Sequence, residues 1–284
     1  MSCFILVKTQ TVKNHLIDEK IWNESVIPFF TEQRGVPDLD QAFKDFHLKE
    51  EEIQILKKKI KVKREQKGTK ILSSFGEISA SFFLINQEKL FLIGLRWPKE
   101  MFEIQTGLDI VGVNPKNFDV IYAEIKASET KKPGSIRSQK TRLTEDLNDK
   151  RLNSYFLETT REPATKLWLI DLLKKSIQEG KIKGDKDTIE SIITAKQKYI
   201  RYGFLIHTLT DRNFQFGSEF KKLDEHCKEQ HSDEQTCSLK CKKTCSLRNP
   251  VHFVDLKIDD ISKRIDHIIE LELTIVAKYG RVDS

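Results

Sequence analysis

Between Ile71 and Asn86 the apolar residues Ile71, Phe75, Ile78, Phe82 and Ile85 recur at near-helical spacing, which predicts an amphipathic helix. Its other face carries Ser73, Glu77, Ala80 and Ser81. Small side chains let a helix approach a sheet closely, and that sets Glu77 near whatever the sheet presents. Strand patterns follow at Lys89 to Trp97, ending at Pro98, and at Glu103 to Val113. The run GLDIVGVNPKNFDVIYAEIKAS, from Gly107 to Ser128, is broken by the turn signal Asn114-Pro115-Lys116-Asn117 and predicts a hairpin. Further strands are expected at Met1 to Val7, 203–209 and 250–256. Helices are expected over much of 12–60, with breaks at Ile27-Pro28 and Gly35-Val36-Pro37, over 136–178 with an interruption near Arg161-Glu162-Pro163, and over 187–201 and 259–276. The stretch 211–249 is polar and poor in core-forming residues. No internal repeat is present. This order describes a mixed α/β domain with a central sheet. Residues 1–69 form an amino-terminal strand and helical region, and 70–284 the main domain with an insertion at about 211–249.

At 284 residues with 38% apolar composition the chain can bury a substantial core. It contains no apolar run near the roughly 20 residues that span a bilayer, so no membrane span is expected. Met1 to Val7 lacks a basic start and a cleavage site, and reads as an edge strand and not as a signal peptide. The expected setting is a soluble, cytoplasmic and reducing one. The net charge of +6 is compatible with a polyanionic partner without establishing one. The run Leu48 to Glu65 passes from acidic to basic, which suits a helix dipole and a solvated face, with phosphate contact as the alternative.

Four of the five cysteines, Cys227, Cys237, Cys241 and Cys245, crowd into one segment, with His226 and His231 nearby. Four thiolates suit a closed structural zinc site. The spacing departs from paired Cys-x2-Cys knuckles, and free thiols in a loop are the other reading.

The hairpin holds the chemistry. If Val113 pairs with Val120, then Val111 faces Tyr122 and Asp109 faces Glu124, while Lys126 shares a face with Glu124. Two facing carboxylates in an apolar sheet are destabilising unless compensated. A divalent cation such as magnesium or manganese between Asp109 and Glu124 would compensate them. Such a site suits phosphodiester hydrolysis, with Lys126 orienting the nucleophile or stabilising transition-state charge and Glu77 completing the shell. Four other Glu-x-Lys triplets, beginning at Glu65, Glu129, Glu179 and Glu219, lie in polar surroundings, so the triplet alone is weak. The alternative is structural: Asp109 or Lys126 at a strand end in solvent, or Lys126 neutralising one carboxylate.

These residues resemble the PD-(D/E)xK nuclease superfamily, with Glu77 in FGEISASFF, Asp109 in TGLDIVGV, and Glu124 and Lys126 in IYAEIKAS. Leu108-Asp109 stands where the family name has Pro-Asp. More narrowly the chain is similar to the HamA family, the nuclease subunits of Hachiman anti-phage defence systems, over most of its length. The late PVHFVDL supports that likeness. The resemblance implies a nuclease-like mixed central sheet flanked by helices. It also implies a metal-dependent DNase held quiet in a hetero-complex with a HamB-like helicase until foreign or aberrant DNA engages it.

After the Glu-x-Lys strand, Lys131, Lys132, Arg137, Lys140 and Arg142 gather near a helix start, where DNA phosphate contact and a solvated surface are both open. Trp97 and Trp168 read as core residues, and His207 as a satisfied core histidine. Two further readings stand beside a DNA nuclease: a non-catalytic nucleic-acid or helicase-binding module on the same fold, and a sequence-specific restriction endonuclease.

Overall fold

The computed structural model describes residues 10–33, 58, 71–95, 109–116, 119–148, 174, 177–180, 183, 199–208, 210, 214–230 and 251–279. The expected strand at Met1 to Val7, the expected helix over 187–198, Trp97, Trp168 and the boundary expected at residue 69 lie outside the described residues.

Among the described residues six strands form one mixed sheet: β1 (Gln10–Ile17), β2 (Phe91–Leu95), β3 (Ile110–Val113), β4 (Val120–Ser128), β5 (Tyr199–Thr208) and β6 (Val251–Ile258), in the order β1-β6-β5-β4-β3-β2. The pairs β1–β6, β6–β5 and β5–β4 are parallel, whereas β4–β3 and β3–β2 are antiparallel. The helical segments are α1 (Glu19–Ile21), a π turn at Trp22–Val26, α2 (Ile27–Gln33), α3 (71–86), α4 (Pro133–Asn148), α5 (Gly217–Gln230) and α6 (Ile261–Tyr279). The architecture is therefore mixed α/β, with helices on both faces of the sheet. Among the described residues no helix is long and apolar enough to cross a membrane.

Side chains alternate along β4, and this sorts the core into two layers. Ile121, Ala123 and Ile125 join one cluster with α3, α6 and the Trp22–Phe30 segment. Leu205 and Phe253, on the other face, pack with Ile136, Leu143 and Leu147 of α4, with Leu223 of α5, and with Phe214 and Phe216. Residues 75–84 of α3 are buried on every side, so this helix is central and not merely amphipathic. Its close approach comes from Gly76, where a Cβ would lie 3.0 Å from Ile125 Cγ2.

Three sequence expectations need correction. Residues 12–17 are strand and not helix, because β1 presents Thr11, Lys13 and His15 half-buried and turns Val12 and Leu16 outward, at 39% and 41% exposure. That inverts the usual hydrophobic alternation. Residues 199–201 open β5 instead of closing a helix. The stretch after 211 does contribute core, through Phe214, Phe216 and Leu223. The break expected at Ile27-Pro28 takes the form of the π turn, in which Ile27 N–H bonds to Trp22 O ahead of a proline that has no N–H to give.

Candidate functional site

The hairpin has the register expected from the turn: Val113 pairs with Val120, Val111 with Tyr122 and Ile110 with Ala123. Asn114 fixes the count, its N–H bonding to Asp119 O at 3.0 Å and its Oδ1 accepting from Lys116 N–H at 2.9 Å. One step beyond the last ladder pair, Asp109 and Glu124 occupy the next facing positions. Asp109 Oδ2 accepts from the Ile125 backbone N–H at 2.8 Å, so its carboxylate stands in for the strand where β3 begins. Glu124 is buried. Lys126 is half-buried and forms an ion pair with Asp146 in the last turn of α4.

Asp146 was not singled out from the sequence, because α4 carries charges around most of its circumference. Its signal is position: Leu143 and Leu147 mark the buried stripe, and Asp146 adjoins it while Glu145 is exposed.

Glu77 is brought in from the other side. It is buried on α3, where the Ser73 hydroxyl donates to Glu77 Oε1 at 3.4 Å. Because α3 packs on the face of Ile125 and Ala127, Glu77 and the Glu124–Lys126 pair start from opposite faces of β4. Among the described residues no three His, Cys, Asp or Glu side chains converge as a metal shell. The donor set that could hold a metal at the hairpin is Asp109 with Glu124, which the register sets at facing positions. Its chemistry fits magnesium, which is commonly held by one or two carboxylates and completed by waters and phosphate oxygens.

The five basic residues after β4 differ in what they can offer. Lys131, Lys132, Arg137 and Arg142 are exposed. Lys140 Nζ is engaged within the fold, 3.0 Å from Glu219 Oε2 and 2.9 Å from Gln215 O, and sits over the Phe216 ring. It acts as a strut between α4 and α5 before it can act as a phosphate ligand.

Two other polar clusters lie within the sheet. His207 is fully buried with both ring nitrogens engaged, Nδ1 at 2.9 Å from Thr208 O and Nε2 at 2.7 Å from Asp255 Oδ1, in keeping with a satisfied core histidine. On the α3 side, the Thr11 Oγ1 lies 2.6 Å from His252 Nδ1, while Glu88 bonds to both Lys13 and the Tyr202 hydroxyl. Burial, then the adjacent Glu88 carboxylate, raises the Tyr202 pKa. Burial, followed by Lys13, pushes His252 down to about 4, with Glu88 opposing.

Cys227 falls on α5, and Cys237, Cys241 and Cys245 lie outside the described residues. Compared with known proteins, the chain matches no family model, no curated protein and no solved structure.

Proposed function

We propose that the chain is a metal-dependent DNA nuclease of PD-(D/E)xK type, the effector subunit of an anti-phage defence complex with a helicase partner. The observation that carries the chemical part is the hairpin register, in which buried Glu124 falls opposite Asp109 and Lys126 follows on the same face. The helicase partner and the defence role rest on the resemblance to the HamA family.

In this reading Asp109 and Glu124 would hold a magnesium or manganese ion, which would supply Lewis-acid polarisation of the phosphate and activation of water. Lys126 brings an ammonium group with three N–H donors. Asp146 takes part of that capacity and fixes the side chain, and the remainder can orient the attacking water or stabilise charge that builds on the phosphate. Cys227, Cys237, Cys241 and Cys245 are proposed as a structural zinc site that staples the segment following α5.

One observation favours the non-catalytic binding module: Asp109 already accepts from Ile125 N–H, and Lys126 is already paired with Asp146. The two readings separate in a plasmid-cleavage assay with magnesium or EDTA, run on the chain alone and with a co-purified helicase. Magnesium-dependent cleavage is expected, and it should vanish in the Glu124→Ala, Lys126→Ala double variant. Asp109→Asn keeps an oxygen acceptor for Ile125 N–H, so folding stability should change by less than about 1 kcal/mol while cleavage falls on the order of a hundredfold or more. Absence of cleavage in every arm, with no metal bound in calorimetry, would hand the fold to the binding module.

A further inference from the structure

The first half of α4 and the 214–219 segment enclose an open cavity of about 410 Å³. Its walls carry Arg137, Lys140 and Thr141 on one side and Gln215, Ser218 and Glu219 on the other. Most of this charge is matched internally. Glu219 is buried, accepts from the Ser218 hydroxyl at 2.8 Å and pairs with Lys140 at 3.0 Å, and the Lys140 ammonium is further held by Gln215 O. The Thr141 hydroxyl donates to Arg137 O at 3.2 Å, which leaves its oxygen able to accept. Arg137 differs from its neighbours: it is exposed, and its guanidinium has no partner among the described residues. The cavity therefore has one uncompensated charge, a planar fork of donors that matches phosphate oxygens.

We propose that this cavity binds a backbone phosphate of the nucleic-acid strand, with Arg137 as its anchor and Lys140 confined to holding the wall. The inference rests on the nuclease reading for its source of phosphate. Arg137 and Asp146 lie on one helix nine residues apart, roughly 14 Å at 1.5 Å per residue. That is about four steps of B-form duplex at 3.4 Å per step, so a strand seated at Arg137 can continue to the Lys126 end of the same helix. Exposed Lys131 and Lys132 immediately precede α4, and exposed Arg142 lies five residues beyond Arg137 on it.

The test is fluorescence anisotropy of a labelled duplex oligonucleotide with the full chain in EDTA, across a salt series, with nucleoside monophosphate and inorganic phosphate as competitors. The Arg137 guanidinium has no polar partner among the described residues, and its carbonyl bond to Thr141 survives truncation, so Arg137→Ala should melt like the wild type. It should bind about five- to tenfold more weakly and reduce the salt slope by about one, with partial recovery in Arg137→Lys. Equal affinity and slope in Arg137→Ala would overturn the proposal and leave the nuclease reading untouched if magnesium-dependent cleavage persists. Arg137-dependent binding without cleavage under any condition would uphold this subsite and remove the nuclease. Arg137-dependent binding of the monophosphate or of inorganic phosphate, with no oligonucleotide binding, would overturn the strand-backbone source, and a wild type that binds none of the three probes would overturn the subsite altogether.

Discussion

His252 stands second in β6 with its ring 4.8 Å from that of Tyr202. With its pKa down at about 4 the ring is neutral at pH 7, which lets the Thr11 hydroxyl donate to Nδ1 at 2.6 Å. In the unfolded chain the same ring titrates near 6.5. Below that value the unfolded state takes up the proton first, so the contribution is intact above pH 6.5. It is lost progressively down to about pH 4, where the folded ring also charges. The difference corresponds to about 3 kcal/mol at most. His15 and His267, both lowered by burial, act in the same direction. Urea midpoints measured from pH 7 to pH 4 should therefore fall more steeply for the wild type than for His252→Asn. Parallel curves would show that this ring is not held neutral. None of this was legible in the sequence, where His252 is one polar residue inside an apolar strand. Its partners Thr11 and Glu88 lie 241 and 164 positions away in the chain.

At the scale of elements, the hairpin was legible because a turn of known length and period-2 alternation leave one register, and that register carries Asp109 to Glu124. Asp146 and Gly203 were not, because a helix and a strand far apart in sequence must first meet. Gly203 is where α4 crosses β5: a Cβ there would lie 2.8 Å from Leu147 Cδ1 and 2.9 Å from the Phe253 ring. Leu147 can move, but Phe253 is stacked on Phe216 at 4.6 Å and flanked by Phe220 at 5.0 Å. Gly203→Ala should thus lower stability by about 1–3 kcal/mol, read as a drop in the thermal midpoint. The strain should also loosen the last turn of α4, whose Leu147 carbonyl accepts from buried Arg201 at 3.3 Å and which carries Asp146. An unchanged midpoint would mean that α4 rides further from the sheet than the Gly203 contacts require. Gly76 makes the matching approach on the opposite face, against Ile125 of β4, so two glycines set how near the helices on the two faces of the sheet can come.

For the whole molecule, the sheet joins pieces that the chain order keeps apart. β1 aligns with β6 over eight parallel pairs, from Gln10–Val251 to Ile17–Ile258, and the Asp259 N–H then bonds to Ile17 O at 3.0 Å. No local pattern could announce that pairing, because the inward side of β1 is Thr11, Lys13 and His15 instead of an apolar row. Closing a loop of more than two hundred residues must precede any gain from the pairing, so β1 should dock late in folding. Among the described residues β4, β5 and β6 are each paired on both sides, whereas β1 and β2 lie at the edges, with the β2 ladder slipping between Leu92 and Gly94. Native-state hydrogen exchange should accordingly be slowest in β4, β5 and β6, and quicker in β1 and β2. In pulse-labelled refolding the amides of β1 should gain protection after those of β5. If β1 were instead protected in the earliest phase, the amino-terminal strand would be part of the folding nucleus. Removing its contacts should then slow refolding and not merely speed unfolding.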